Sequence, residues 1–319
     1  MDIMRTVRNP VLLKRRASGF VVKSFRLLFI IGLCYLFLFP LFYLIVAAVQ
    51  DPAAAKDPTV VWIPTILTKL NFTTAMEFLN YKNSLTETLK ISIVSTAATL
   101  ISCSMVGYGF ARFKFREKNI AFALVMLTII VPPQTVVMSN YVNFRYFNLF
   151  GLTKLFGFEG LNFLNSPLPF SIPALFANGL RAGLFILIFR QIFAGQPKEL
   201  EEAARIDGCG AFATFRRIMV PLAVPAFITV MLFCFVWHWN ENFSSNIFYT
   251  EPLKRPLAVQ LNAIRMTFLL NQSNSHYSPT MARGTLAAGS LLSLSPLLVL
   301  YIFTQKHFTE SIERSGIVG

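Results

Sequence analysis

Charge is scarce in this chain. Only 14% of its 319 residues are Asp, Glu, Lys or Arg, whereas soluble domains average roughly 25%. Cysteine occurs 4 times, at Cys34, Cys103, Cys209 and Cys234, without CxxC spacing and mostly inside apolar runs. That pattern indicates neither a disulfide scaffold nor a zinc site. The 3 histidines (His238, His276 and His307) are scattered, and no HExxH or His/Asp cluster occurs. An integral membrane enzyme would need such a polar cluster within its spans. No GxxxxGK[ST] segment is present, so the chain is not itself an ATPase of the phosphate-loop kind. Net charge is +14, yet the basic residues form no single stripe, and nucleic-acid binding would need one.

Apolar residues are abundant instead. They make up 55% of the chain, with 33 Phe and a mean hydropathy of +0.57. A membrane-spanning helix needs about 20 mostly apolar residues. Six runs qualify: Leu27–Val49, Leu89–Ala111, Ile120–Met138, Ile172–Ala194, Leu222–Trp239 and Thr285–Phe303. The first is too long for a signal-peptide core and lacks a small-residue cleavage site, so it is expected to be retained. These runs carry almost no acidic residues, and no internal repeat is visible. A stand-alone channel or secondary transporter would need intramembrane acids or inverted repeats.

Lysine and arginine set the orientation. With the N-terminus inside, segments 1–26, 112–119, 195–221 and 304–319 hold 7, 4, 4 and 2 of them. The other side collects 10 over much longer segments, counting Lys90 at the outer edge of the second run. The expectation is an all-α polytopic membrane protein with both termini cytoplasmic. It divides into a cytoplasmic segment 1–26, a six-helix domain 27–303 and a tail 304–319. The outer loops contain the sequons at Asn71, Asn242 and Asn271, which chance explains.

The inner segment 195–221 differs in kind. Pro197 can open a helix, and Glu199, Glu201 and Glu202 crowd the first turn, where the helix dipole favours negative charge. Leu200, Ala203, Ala204 and Asp207 follow helical spacing, and Gly208 and Gly210 stop the helix. A second short helix carries Phe212, Phe215 and Met219 on one face, with Arg216 and Arg217 toward the membrane. Pro221 and Pro225 mark entry to the fifth span. The residues leave two possibilities open: an amphipathic linker between spans, or a docking element with a small-residue face.

The spacing distinguishes them. Glu202-Ala203-Ala204, Gly208, Ile218 and Pro221 stand at the offsets of the EAA signature, and the segment resembles that of ABC importer permeases, with Val220 where Leu is usual. Tyr108-Gly-Phe-Ala-Arg-Phe-Lys-Phe115, Val131-Pro-Pro-Gln134, Leu184–Gln191 and Trp239-Asn240-Glu241 are similar to elements of the carbohydrate (maltose-type) permeases. The ending Ser315-Gly-Ile-Val-Gly319 also resembles theirs, with Val318 where Lys is common.

The resemblance covers about residues 85–319 and implies a type I importer fold in the bacterial plasma (inner) membrane. It implies a second permease subunit, a cytoplasmic ATPase dimer carrying ATP and Mg, an extracellular or periplasmic solute-binding protein and a sugar cargo. No cofactor is expected on this chain. Glu202, Ala203, Ala204, Arg205, Asp207, Gly208 and Pro221 are the residues it implies for ATPase coupling. Competing readings are a permease for a non-sugar solute and a stand-alone transporter.

Path residues rest on chemistry alone. Sugars present C–H faces to aromatic rings and hydroxyls to hydrogen-bonding groups. Trp237, His238, Trp239, Asn240 and Glu241 supply both kinds near the outer end of the fifth run, where an interfacial aromatic belt is the alternative. Pro132-Pro133 interrupts the third run and kinks it. Arg181 follows Asn178 inside the fourth run. An intramembrane charge costs at least ~2.5 kcal/mol, so Arg181 is expected to face a cavity or an ion-pair partner such as Glu241.

Overall fold

The computed structural model describes residues 10–56, 62–148, 157, 160–270 and 278–316. The sequon at Asn271, His276 and the last three residues of the C-terminal tail lie outside the described residues. The described chain is helical, with two isolated bridges, Gln50 to Leu67 and Phe147 to Leu161.

Apart from three short 3-10 turns, thirteen helices follow one another among the described residues. They are α1 (Pro10–Val49), α2 (Leu70–Leu79), α3 (Tyr81–Arg112), α4 (Lys118–Ile130), α5 (Val137–Arg145), α6 (Leu168–Leu175) and α7 (Ala182–Ala194). Then come α8 (Glu199–Ile206), α9 (Ala211–Leu222, with a π turn at Phe215–Met219), α10 (Val224–Trp239), α11 (Phe243–Phe248), α12 (Leu257–Leu270) and α13 (Pro279–Gly316). Each apolar run of the sequence is represented, by α1, α3, α4, α7, α10 and α13. Three of them, Val21–Val49 of α1, α3, and Pro279–Gln305 of α13, are long and apolar enough to cross a membrane unaided. The bent pair α9 and α10 passes that test together, with an 80° turn between its halves.

The predicted third and fourth spans are each shorter than their apolar runs. α4 stops at Ile130, where Val131 and Pro132 become extended. A residue before proline is pushed out of the helical region, and two prolines in succession enforce the stop. The fourth run is split into α6 and α7 by Phe176–Arg181, with Ala177 and Arg181 at φ 54° and 59°. The Asn178-Gly179 turn signal sits inside that run, and the Asn178 N–H bonds the Pro173 carbonyl at 2.9 Å. The predicted boundaries at residues 26 and 304 coincide with no break, because α1 and α13 continue through them.

The centre of the bundle is α3. It packs against α6, α7, α10 and α12, and its buried face is built from small side chains: Ser92, Ser95, Thr99, Ser102, Cys103 and Gly107 among them. Small residues let helix backbones approach closely, which is the main source of helix association in lipid. The Ser102 hydroxyl donates to the Ala174 carbonyl of α6. At Gly107 an added Cβ would lie 2.6 Å from the Phe189 Cβ and 3.0 Å from the Arg190 nitrogen of α7. Bulk sits on the partners instead: Phe185, Phe189, Phe193, Met219 and Val230 form the adjoining core.

A second layer closes the other side. α13 packs on α1, α2, α10 and α12. The buried Asn71 amide of α2 donates to the carbonyls of Ala48 at 3.0 Å and Gln50 at 2.8 Å, satisfying groups that the end of α1 leaves without helical partners. Gly284 of α13 packs against that same amide, with an added Cβ 2.6 Å from Asn71 Oδ1.

Gly107→Val should separate α3 from α7 and lower stability by about 1–3 kcal/mol. Gly109→Ala, whose new Cβ would come no nearer than 3.9 Å to Phe113, should leave stability unchanged or slightly raised. Thermal unfolding in detergent measures both, and equal melting of the two variants would contradict the packing described.

Candidate functional site

Two regions concentrate the polar chemistry. The first is α8 with its flanks. Glu199, Glu201 and Glu202 occupy its first turn and Arg205 its last, each complementing the helix dipole. Its end is a complete Schellman stop: Gly208 has φ +80°, its N–H bonds the Arg205 carbonyl, and the Cys209 N–H bonds the Ala204 carbonyl at 2.8 Å. Space is not what requires glycine here, because nothing lies within 4 Å of an added Cβ. The left-handed backbone requires it.

α8 starts at Glu199, two residues after Pro197. Its faces divide differently from the sequence pattern. Glu201 and Ala204 turn inward, whereas Glu202, Ala203, Arg205, Asp207 and Gly208 are exposed. Ile206 is 87% exposed and Phe212 of α9 63% exposed. Phe215 and Met219 are buried, so Phe212 does not share their face. Pro221 is exposed at the end of α9, just before the 80° bend.

Three residues that the sequence did not single out hold α8 to the bundle. Arg112, at the end of α3, places its Nε 3.3 Å from Glu201 Oε1, with side chains only 4% and 8% exposed. Its Nη2 donates to the Gln196 carbonyl at 2.6 Å. One guanidinium thus fixes both the approach to α8 and its first turn. Arg112 reads in sequence as one of several loop cations, and nothing local tells Glu201 from Glu199 or Glu202. Only the register of α8 against α3 selects it.

The second region is a cavity of about 440 Å³ at the breaks in the third and fourth runs. Pro132 and Pro133, Asn140 of α5, Asn178 and Arg181 of the α6–α7 break, and Glu241 line it. Backbone left without helical partners is tolerated at membrane depth where it borders such a cavity. Arg181 stands immediately before α7 in a left-handed conformation. Its Cζ lies 5.5 Å from the centre of the Trp237 ring, and that ring packs on Phe185 and Phe233.

The run 237–241 straddles the end of α10. Trp237, within the helix, lies against Arg181, and Glu241, two residues past the helix end, lines the cavity. His238 and Trp239 are buried: His238 Nδ1 faces the Cys234 carbonyl at 2.9 Å, and Trp239 Nε1 donates to the Ser293 carbonyl of α13 at 3.2 Å. Asn240 is exposed and its amide donates back to the Val236 carbonyl at 2.9 Å. The Glu241 carboxylate accepts the Ser244 N–H at 2.8 Å. Arg181 and Glu241 line one cavity but form no ion pair with each other. Among the described residues no His/Cys/Asp/Glu group suited to a metal ion occurs.

Removing Arg112 would leave the Glu201 carboxylate buried and without its cation, a change that costs ~3–5 kcal/mol. Arg112→Ala should therefore lower the melting temperature of the detergent-solubilised protein and speed proteolysis within 195–221. Arg112→Met combined with Glu201→Met should recover most of the loss. Unchanged melting in Arg112→Ala would rule out the anchoring role.

The chain resembles known proteins over most of its length. It is 27% identical over 300 residues to the arabinooligosaccharides transport system permease protein AraQ of Bacillus subtilis, covering 92% of this chain and 94% of that protein. It is 25% identical over 281 residues to the diacetylchitobiose uptake system permease protein DasC of Streptomyces coelicolor, covering 88% and 92%. The fold superposes with a TM-score of 0.70, at 20% identity, on a chain from the crystal structure of a bacterial ABC transporter involved in the import of the acidic polysaccharide alginate, covering 92% of this chain and 98% of that one. Residues 103–313, more than half of the sequence, match the model of the binding-protein-dependent transport system inner membrane component. The chain belongs to that family.

Proposed function

We propose that this protein is the permease subunit of an ATP-driven importer that carries an oligosaccharide into the bacterial cell. The relatives named for arabinooligosaccharides and diacetylchitobiose support a sugar cargo, and the family supports service to a solute-binding protein. The excess of Lys and Arg on 1–26, 112–119 and 195–221 supports a cytoplasmic N-terminus and a cytoplasmic α8. The chain pairs with a second permease subunit to complete the path. ATP and Mg sit on the ATPase dimer, and this chain binds no cofactor of its own.

The observation that carries the coupling role is the built form of α8. It is a short helix, stopped by Gly208 and pinned on one side by Arg112, with Glu202, Ala203, Arg205 and Asp207 on the exposed side. A helix held on one face and open on the other transmits displacement from a partner to the bundle. Exposed Ile206 and Phe212 supply the apolar area that docking requires. Ala204 serves from inside, as a small residue that lets α8 lie close to the bundle.

Substrate passes the cavity at Arg181. Its guanidinium, Asn178 and Asn140 are donors, Glu241 is an acceptor, and Trp237 holds the guanidinium in place. One cation and one carboxylate in the same wall suit the hydroxyls of a sugar. His238 and Trp239 shape this wall from behind through packing on α6 and α13. Asn240 stands at the exposed end of α10.

Gly208→Val should abolish substrate-stimulated ATP hydrolysis in the reconstituted complex, because a β-branched residue resists the left-handed stop. Glu202→Lys, which opposes the helix dipole and reverses an exposed charge, should do the same without loss of membrane insertion. Normal stimulation in both would refute the coupling assignment.

Arg181→Ala should reduce oligosaccharide uptake at least tenfold, about 1.4 kcal/mol or more, while the complex assembles normally. Arg181→Lys should fall between the two, since it keeps charge and loses the planar donor fork. Normal uptake by Arg181→Ala, or failure only through disassembly, would end the path role.

A further inference from the structure

A second cavity, of about 420 Å³, lies between α1, α12 and α13, away from α8 and from Arg181. Its walls are mostly apolar: Leu44 of α1, Phe268 of α12, and Ala282 and Leu286 of α13. Two arginines complete them, Arg265 of α12 and Arg283 of α13, both exposed. No carboxylate is among the lining residues, and among the described residues neither arginine takes part in an ion pair.

The cavity has a polar end and an apolar end. Arg283 Nη2 donates to the Ala55 carbonyl at 3.1 Å, in the turn that follows α1. This places the guanidinium level with the point where α1 leaves the apolar layer. Ser290, seven residues further along α13, lies about 10 Å deeper at 1.5 Å per residue. On α1, which forms one wall, the most apolar stretch of Val21–Val49 is covered by no other part of this chain.

Free phosphate would satisfy the two cations and leave the apolar walls wet. An uncharged lipid would fill the walls and leave two guanidinium groups, each with five donors, without an anion. An amphiphile with a phosphate at one end and an acyl chain at the other satisfies both. We infer that this groove holds an anionic phospholipid, its phosphate between Arg265 and Arg283 and one acyl chain along Leu44, Phe268 and Leu286. The site is independent of the transport reading and stabilises the packing of α1 and α12 on α13.

The test uses the full-length chain with its co-purifying subunits, exchanged into detergent with synthetic phosphatidylglycerol or phosphatidylcholine and examined by native mass spectrometry. Wild type should retain one phosphatidylglycerol and prefer it to phosphatidylcholine. Arg265→Gln with Arg283→Gln should lower that retention roughly thirtyfold, as expected for two basic residues near a lipid phosphate. Arg265→Lys with Arg283→Lys should keep the preference, which separates charge from fold damage. Equal retention by wild type and the Gln pair, or no preference in wild type, would overturn the inference. Displacement of the lipid by excess inorganic phosphate would make this a free-phosphate site and overturn it equally.

Discussion

The close approach of α3 to its neighbours governs the rest of this structure. In lipid there is little hydrophobic gain in bringing two apolar helices together, so association depends on fit. α3 supplies a face of Ser, Thr, Cys and Gly, and α7 and α10 supply Phe and Val to fill it. At Gly107 the fit leaves no room for a side chain. Because α3 is fixed so tightly, its end is a rigid platform, and Arg112 at that end holds Glu201 and Gln196 in place. The position of α8 is thus inherited from the packing of a helix that lies mostly within the apolar layer.

The same constraint explains where the helices break. Backbone N–H and C=O groups cannot face lipid without partners. The two interruptions, at Val131–Pro132 and at Phe176–Arg181, are gathered around one cavity and supported by tertiary contacts. Arg181 ends up there because the break exists: its left-handed backbone starts α7, and its guanidinium rests over Trp237. The charge that looked anomalous in an apolar run is therefore at a helix start and on a cavity wall. The bundle presents an exposed helix, α8, at one end and a polar gap between broken helices elsewhere.

How much of this was written in the sequence depends on the range of the forces involved. The apolar runs, the stop at Gly208, the breaks at Pro132-Pro133 and the EAA spacing are local properties, set by hydropathy, backbone preference and fixed offsets along one chain. The Gly208 stop and the Pro132-Pro133 break appear in the structure where the sequence puts them, with α4 shortened by its prolines, whereas the fourth run is split into α6 and α7. The Asn178-Gly179 signal was equally local, but the surrounding hydrophobicity masked it.

Tertiary structure decided what no local pattern encodes. Which of three neighbouring glutamates turns inward depends on the rotation of α8 against α3, and that selected Glu201. Which residues of 237–241 meet the cavity depends on the direction of α10, which gave Trp237 and Glu241 to Arg181 and its wall and sent His238 and Trp239 into packing. Arg265 and Arg283 share a groove only because α12 folds back onto α13. The sequence by itself determined a membrane-embedded helical permease with a short charged helix stopped at Gly208, because apolar length, helix stops and motif spacing are one-dimensional. The partners of its charged groups were set by helix rotation and crossing, which exist only in three dimensions.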